Sequence, residues 1–118
     1  MDATNKKLIQ LLLEKTNAKL LTWSRGSTAN EFKTELSAAT LHISYVLYDG
    51  LNEFAQTEVL SLYMYNGTGA PITLVSENDM QTEFELLKML YNSAMDSCTK
   101  ESETIENLFD ELNALGNR

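Results

Sequence analysis

The residues best suited to chemistry in this sequence are its single histidine, His42, and its single cysteine, Cys98. Together they could act as a base and a nucleophile, but neither lies in a local motif that supports such a pair. One histidine cannot build a histidine-based zinc centre, and one cysteine cannot form an internal disulfide or a multi-thiolate metal site. We therefore interpret His42 as a sheet residue and Cys98 as a small core residue, and we predict no metal site.

The stretch NGTG at residues 66–69 has three alternative roles: a glycan acceptor, a phosphate-binding loop or a turn. Glycan acceptors matter only in secreted proteins. Phosphate-binding loops lead from a strand into a helix, whereas this stretch lies between two strand-like segments. Because Asn-Gly is a strong hairpin signal, we predict a turn.

Acidic side chains are the remaining source of chemistry, but their pattern does not indicate an active site. The sequence contains no nucleophile-elbow, zinc-protease, EF-hand or dinucleotide-binding motif. Acids on a helix surface are normally solvated, and no pair of them is recognisable as the two carboxylates of a glycosidase. We predict that the protein is not an enzyme, has no catalytic residues and uses no cofactor.

The net charge of the 118-residue chain is −8, and residues 77–111 contain ten acids and two bases. An acidic surface repels phosphate backbones, so we predict no nucleic-acid binding. The acidic segment is a solvated helix face or, alternatively, a docking surface for a basic partner. The N-terminal apolar run is too short for a signal peptide or a membrane span, and the lone cysteine suits a reducing compartment. Together these features predict a cytoplasmic protein with no membrane contact.

Hydrophobic spacing divides the chain, as a single domain of residues 1–118, into helices and strands. A stripe of leucines predicts an N-terminal helix over 4–17, capped by Thr4. Alternation and turn signals predict strands at 19–23, 31–37, 40–49, 58–65 and 70–75. Helical spacing starts from SENDM at 76–80 and returns at 103–115 after an interruption at TKESE. The order predicts an α+β domain: an N-terminal helix, a four- to five-stranded antiparallel meander, and two C-terminal helices packed on one sheet face.

Strand alternation gives each face of the predicted sheet its own residues. The face predicted to pack on the helices contains Leu41, Ile43, Leu47, Leu60, Leu62 and Met64. The opposite face contains His42, Ser44, Val46, Tyr48, Ser61, Tyr63, Tyr65, Thr73 and Val75. Tyrosine and valine on a face without helices form a mixed apolar patch, which is typical of interfaces. The alternative is partial burial of this face under the long connection at 49–58 or under the last helix.

The order of elements resembles that of a group of small, uncharacterised bacterial and phage-associated proteins. The similarity rests on LIQLLLEKT followed by Lys19, Leu20 and Trp23, on the hairpin LYMYNGTGAPI, and on the helices FELLKMLYNSAMDS and IENLFDELNAL. It covers nearly the whole chain, which departs from the group in the turn, where NGT replaces the usual acidic residues. The resemblance implies a bacterial or mobile-element origin, and it implies no activity.

These observations lead to two hypotheses for function. The first is a non-catalytic interaction or regulatory protein that forms a homodimer through the tyrosine face or a sheet edge and binds another protein. The alternative is a small-ligand protein, for instance one that sequesters a signalling nucleotide, with Arg25, Lys19 or Lys33 near the phosphates. The predicted partner- or ligand-binding residues are Trp23, Arg25, His42, Tyr48, Tyr63 and Tyr65. Trp23 is assigned to either the core or the rim of the site.

Overall fold

The computed structural model describes residues 1–48, 56–67 and 70–116. The elements are α1 (Ala3–Asn17), β1 (Ser24–Arg25), β2 (Glu31–Glu35), β3 (Thr40–Tyr48), β4 (Thr57–Tyr65), β5 (Ile72–Asn78) and α2 (Phe84–Gly116). The predicted α+β architecture is confirmed, and the two predicted C-terminal helices are joined into the single helix α2. Most of the connection predicted at 49–58 lies outside the described residues, as do residues 68–69 of the predicted turn.

The strands form one antiparallel sheet in the order β1-β2-β3-β4-β5, so the meander predicted from the sequence is confirmed. Strands β3 and β4 pair along their full length, from Thr40 opposite Tyr65 to Tyr48 opposite Thr57. The described part of the NGTG segment joins β4 to β5, and its Gly67 has φ +95°, a conformation that glycine adopts without strain. The segment therefore connects two strands, as predicted.

Helix α1 packs against α2 and contributes the buried residues Ile9 and Leu12 to the core. Its N-cap is Asp2, whose carboxylate accepts a hydrogen bond from the Asn5 N–H at 2.7 Å, so the prediction of Thr4 as the cap was wrong. An Asp side chain placed three residues before a free backbone N–H satisfies one of the unpaired donors of the first turn.

The C-terminus of α1 is closed by a Schellman turn, and this turn displaces the strand predicted at 19–23. The N–H of Lys19 donates to Thr16 O at 3.1 Å, and that of Leu20 donates to Lys15 O at 3.0 Å. Lys19 has φ +62°, which is incompatible with an extended strand. Strand β1 consequently starts only at Ser24 and has two residues.

The segment SENDM was predicted to begin a helix, but its first three residues belong to β5. Strand β5 extends to Asn78 because β4 continues alongside it, with Val59 opposite Asn78. Helix α2 starts at Phe84 and contacts every strand of the sheet. Cys98 is buried in the core, as predicted.

The core lies between α1, α2 and one face of the sheet, and most of the residues predicted for that face are there. Leu41, Ile43, Leu60 and Leu62 are buried, and Met64 is partly buried against them. Leu47 is 47% exposed because it lies near the end of β3, where the prediction of a core position was wrong.

Val75 was predicted on the opposite face, and this prediction was wrong because β5 contains a β-bulge. Leu62 pairs with Val75, whereas the next residue, Tyr63, pairs with Thr73, which leaves Leu74 as an extra residue. One extra residue reverses the alternation along a strand. Val75 therefore enters the core with 6% exposure, and the carbonyl of Leu74 accepts a hydrogen bond from the Asn5 amide at 2.9 Å.

Candidate functional site

The sheet face opposite α2 carries a polar cluster centred on the carboxylate of Glu31, which is only 5% exposed. Its Oε1 accepts hydrogen bonds from His42 Nδ1 at 2.8 Å and from Ser27 Oγ at 3.2 Å. The Ser27 N–H also donates to Oε1, at 3.4 Å, and the Tyr63 hydroxyl donates to Oε2. A buried carboxylate is tolerated only when its oxygens are satisfied in this way.

The position of each group follows from sheet register and from the β1–β2 turn. Lys33, His42, Tyr63 and Thr73 occupy neighbouring positions across four strands, and Glu31 lies two residues before Lys33 on the same face. The turn folds over Glu31 because residue 26 is glycine. A Cβ atom added to Gly26 would lie 2.6 Å from Glu31 Cγ, a distance that real Cβ atoms do not reach. Gly26 therefore lets the backbone cover the carboxylate.

The surroundings of Glu31 shift two pKa values in opposite directions. Burial opposes ionisation of Glu31, but hydrogen bonds from Tyr63, His42 and Ser27 outweigh it and lower its pKa below the ordinary 4.5. Burial and the hydrogen bond to the Glu31 carboxylate both raise the pKa of Tyr63 well above its ordinary value. At neutral pH the cluster therefore contains a carboxylate and a neutral phenol.

The aromatic rings beside this carboxylate pack on one another. His42 and Tyr63 are stacked, with ring centroids 5.1 Å apart and an interplanar angle of 11°. Tyr65 meets His42 edge-on at 4.8 Å and Tyr63 edge-on at 5.9 Å. Offset stacking and edge contacts are the favoured arrangements of aromatic pairs, so the three rings form a rigid unit.

The contacts of the cluster fix the orientation of the His42 ring. Nδ1 is engaged by Glu31, which fixes the ring, as carboxylates do for histidine in catalytic sites. In the part of the chain that the structure describes, no group of three or more histidine, cysteine, aspartate or glutamate residues is placed to hold a metal ion. Cys98 belongs to the helix α2, and β-sheet residue His42 faces away from that helix.

The structure brings together three of the predicted binding residues, His42, Tyr63 and Tyr65. Tyr48 lies on an exposed part of β3 opposite Thr57, away from this cluster, and Arg25 is exposed on β1. Trp23 is fully buried in the core, where its indole Nε1 donates to Thr16 Oγ1 at 2.9 Å.

Sequence reasoning missed Glu31, although it placed the neighbouring acid Glu35 on the solvated face of the same strand. The alternation of β2 assigns Glu31 to that same face, because it lies four residues before Glu35. What the sequence does not show is that the turn at Gly26 covers it. A glycine five residues before a strand acid is too common a pattern to indicate such a cover.

A second feature of the surface is an apolar stripe on the terminal part of α2, here called the terminal stripe. It consists of Ile105, Leu108, Phe109, Leu112 and Leu115, which are 46–63% exposed. The spacing of three and four residues continues that of Phe84, Leu87, Tyr91, Ala94 and Cys98, of which Tyr91 is partly buried and the others are buried. The same helix face is thus covered up to Cys98 and exposed from Ile105 to Leu115.

Comparisons with known proteins returned no match: no family model, no curated protein and no solved structure is similar to this chain. In the described parts of the chain, none of the helices combines the length and apolarity that crossing a membrane requires. A functional assignment therefore depends on the geometry of the polar cluster, the terminal stripe and the cavities of this fold.

Proposed function

We propose that this protein is a non-catalytic interaction or regulatory protein, of bacterial or phage origin, that works as a homodimer. The observation that carries the proposal is the terminal stripe. The bacterial or phage origin rests on the resemblance of the element order to that of small bacterial and phage-associated proteins.

The terminal stripe has the composition of a protein-binding helix. Five large apolar side chains at 46–63% exposure lie on one face, in a segment of about 16 Å. Contiguous exposed apolar surface of this kind marks interaction sites in soluble proteins. The stripe belongs to the continuous helix α2, and a partner that covered it would remove its apolar side chains from water.

The charges around the terminal stripe favour a second copy of this chain as the partner that covers it. The terminal stripe is flanked by Glu106, Asp110 and Glu111, all exposed. Helix α1 offers the complementary pattern: Leu11 is 49% exposed, and exposed Lys7 and Lys15 lie one turn before and after it. In a two-fold dimer each stripe meets the partner subunit's α1, and every contact is made twice. Opposite charges around an apolar centre also fix the orientation of one subunit relative to the other.

The test is native mass spectrometry of the purified protein at tens of micromolar concentration, with analytical ultracentrifugation as a second measurement. We expect the unmodified chain to be a dimer and the variant Leu108→Glu to be a monomer, because the new charge would be buried without a partner. Met80→Glu is the matched control, since Met80 is an equally apolar side chain at 89% exposure outside the stripe. This variant should remain a dimer.

Charge reversal tests the choice of partner surface. The double variant Lys7→Glu/Lys15→Glu should weaken the dimer, and Glu106→Lys/Asp110→Lys should weaken it to a similar degree. Mixing the two variants should restore association, because the mixed dimer has opposite charges at both of its contacts. A monomeric unmodified chain would refute the homodimer. A dimer that resists Leu108→Glu and dissociates with Tyr65→Glu would instead place the interface on the tyrosine face of the sheet.

A further inference from the structure

A cavity of about 650 Å³ lies between the C-terminal end of α1 and the middle of α2. One wall comes from α1 and the turn after it, and the other from α2. This cavity is separate from the Glu31 cluster, which faces away from α2, and from the proposed dimer contact except at Ile105. Its volume is within the range of sites that hold small organic molecules.

Several residues of the lining have side chains that donate hydrogen bonds. They include Lys19, Lys100, Asn17 and Ser97. Ser93 Oγ donates to the Asn17 side-chain oxygen at 3.1 Å, which leaves the Asn17 amide N–H groups to donate elsewhere. Ser97 Oγ accepts from the Trp23 N–H at 3.0 Å, which leaves its own O–H to donate. Such a set of donors suits a ligand that presents several acceptor oxygens.

The backbone at Lys19 is the second, independent observation. Lys19 is the left-handed residue of the Schellman turn, with φ +62°, a position that glycine fills without strain. It is the only residue other than glycine with a positive φ in the described parts of the chain. Non-glycine residues in this conformation cost free energy and concentrate at ligand sites. Among the described residues the Lys19 ammonium has no ion-pair partner, and Lys19 is one of the residues that line the cavity.

We propose that this cavity binds a small phosphate ester, such as a sugar phosphate or a mononucleotide. The phosphate is held by the ammonium of Lys19, with Lys100 and the Asn17 and Ser97 donors around it. Asp96, the acid of the lining, accepts hydroxyl groups of the sugar. Leu21 and Ile105 supply the apolar contact for the body of the ligand. This proposal does not depend on the homodimer.

The experiment is thermal unfolding of the full chain with millimolar AMP or glucose 6-phosphate. Adenosine, glucose and inorganic phosphate are the matched controls. We expect at least one ester to raise the Tm, with little or no rise for its neutral parent, since a ligand that binds only the folded state stabilises it by mass action. The ester that gives the larger rise in Tm shows whether the cavity prefers a mononucleotide or a sugar phosphate. An equal rise with the neutral parent, or no rise with either ester, would overturn the proposal.

The decisive variant is Lys19→Gly. Glycine relieves the positive φ, so the unliganded variant should have a Tm equal to or above that of the unmodified protein. The ester-dependent rise should disappear, and titration calorimetry should show at least a tenfold weaker Kd. Lys33→Ala, on the sheet and outside the cavity, is the matched control and should bind normally. If Lys19→Gly binds the ester as tightly as the unmodified chain does, Lys19 has no binding role and the proposal fails.

Discussion

Each face of the central sheet has a buried centre, and the two centres are stabilised in different ways. On the face beneath α2, Leu60, Leu62 and Ile43 have no exposed surface and belong to the apolar core. On the opposite face, Glu31 is almost as deeply buried, but its neighbours are a histidine, a tyrosine and a serine that donate hydrogen bonds to it. The stability of the apolar core depends on the apolar area that is buried there. The stability of the Glu31 cluster depends on a carboxylate that accepts hydrogen bonds from its neighbours.

This difference determines how the stability of each face depends on pH. Apolar packing is insensitive to pH and scales with the area removed from water. The Glu31 cluster contributes stability only while its carboxylate is ionised and accepts hydrogen bonds from its donors. The apolar core beneath α2 therefore supplies stability that does not depend on pH, and the Glu31 cluster supplies stability over a limited range of pH. Four predictions test this contrast.

The largest effect is expected from a cavity in the face beneath α2. Leu62→Ala removes a side chain that is 0% exposed and should lower the free energy of unfolding by about 2–5 kcal/mol at any pH between 5 and 9. Ser61→Ala, at the next position on β4 and on the opposite face, should change it by about 0.5 kcal/mol or less. Urea denaturation measures both. Equal losses would show that the two faces are not distinct.

A smaller loss is expected when the charge at the centre of the opposite face is removed. Glu31→Gln keeps the shape of the side chain but places an amide N–H₂ among donors, so the Tyr63 hydroxyl or His42 loses its acceptor. The free energy of unfolding should fall by about 1–3 kcal/mol. The variant Glu35→Gln is the control, because Glu35 is an exposed acid on the same strand. A neutral effect of Glu31→Gln would contradict the role given to the carboxylate.

The pH dependence of the free energy of unfolding should differ between the unmodified chain and Glu31→Gln. The pKa of Glu31 is lower in the folded state than its ordinary 4.5, so its stabilisation is complete above that value and is lost as pH falls through the folded pKa. The pKa of Tyr63 is raised in the folded state, so its contribution is complete below its ordinary value of 10.0 and is lost as pH rises beyond it.

The measurement is the free energy of unfolding from about pH 3 to pH 11, for the unmodified chain and for Glu31→Gln. The difference between them should be greatest near neutral pH and should shrink at the acidic end. A constant difference across the acidic range would mean that Glu31 does not titrate with a lowered pKa.

The smallest effect is expected at the edge of the cluster. Ser27→Ala removes the hydroxyl that lies 3.2 Å from Glu31 Oε1 but keeps the backbone N–H at 3.4 Å. Because the carboxylate retains its His42 and Tyr63 donors, the loss should be about 0.5–1 kcal/mol. A loss as large as that of Glu31→Gln would show that the turn, and not the carboxylate, holds this face together.

The sequence was sufficient to predict which side of β3 and β4 meets the helices. Alternation is a local property, and Leu41, Ile43, Leu60 and Leu62 reveal it directly. It was not sufficient for β5, where Val75 changes face because Leu74 is an extra residue. A bulge depends on the pairing of two strands, so alternation within one strand cannot indicate it.

The candidate sites were predictable in part, for a related reason. Alternation along β3 and β4 correctly placed His42, Tyr63 and Tyr65 on one face of the sheet. The burial of Glu31, however, depends on the turn that contains Gly26. The apolar spacing of 103–115 indicated a helix without showing whether its stripe is buried. An amphipathic pattern shows that one face of a helix is apolar. It does not show whether that face is covered by the same chain.

The burial of Trp23 has an optical consequence. It is the single tryptophan of the chain, its indole donates to Thr16, and its backbone N–H donates to Ser97. Both of these partners also line the cavity between α1 and α2. The tryptophan fluorescence of the protein therefore comes from one residue that lies directly behind the proposed ligand site. Emission should be that of a dry indole, and a change in intensity on titration would report occupancy of the cavity without any added label.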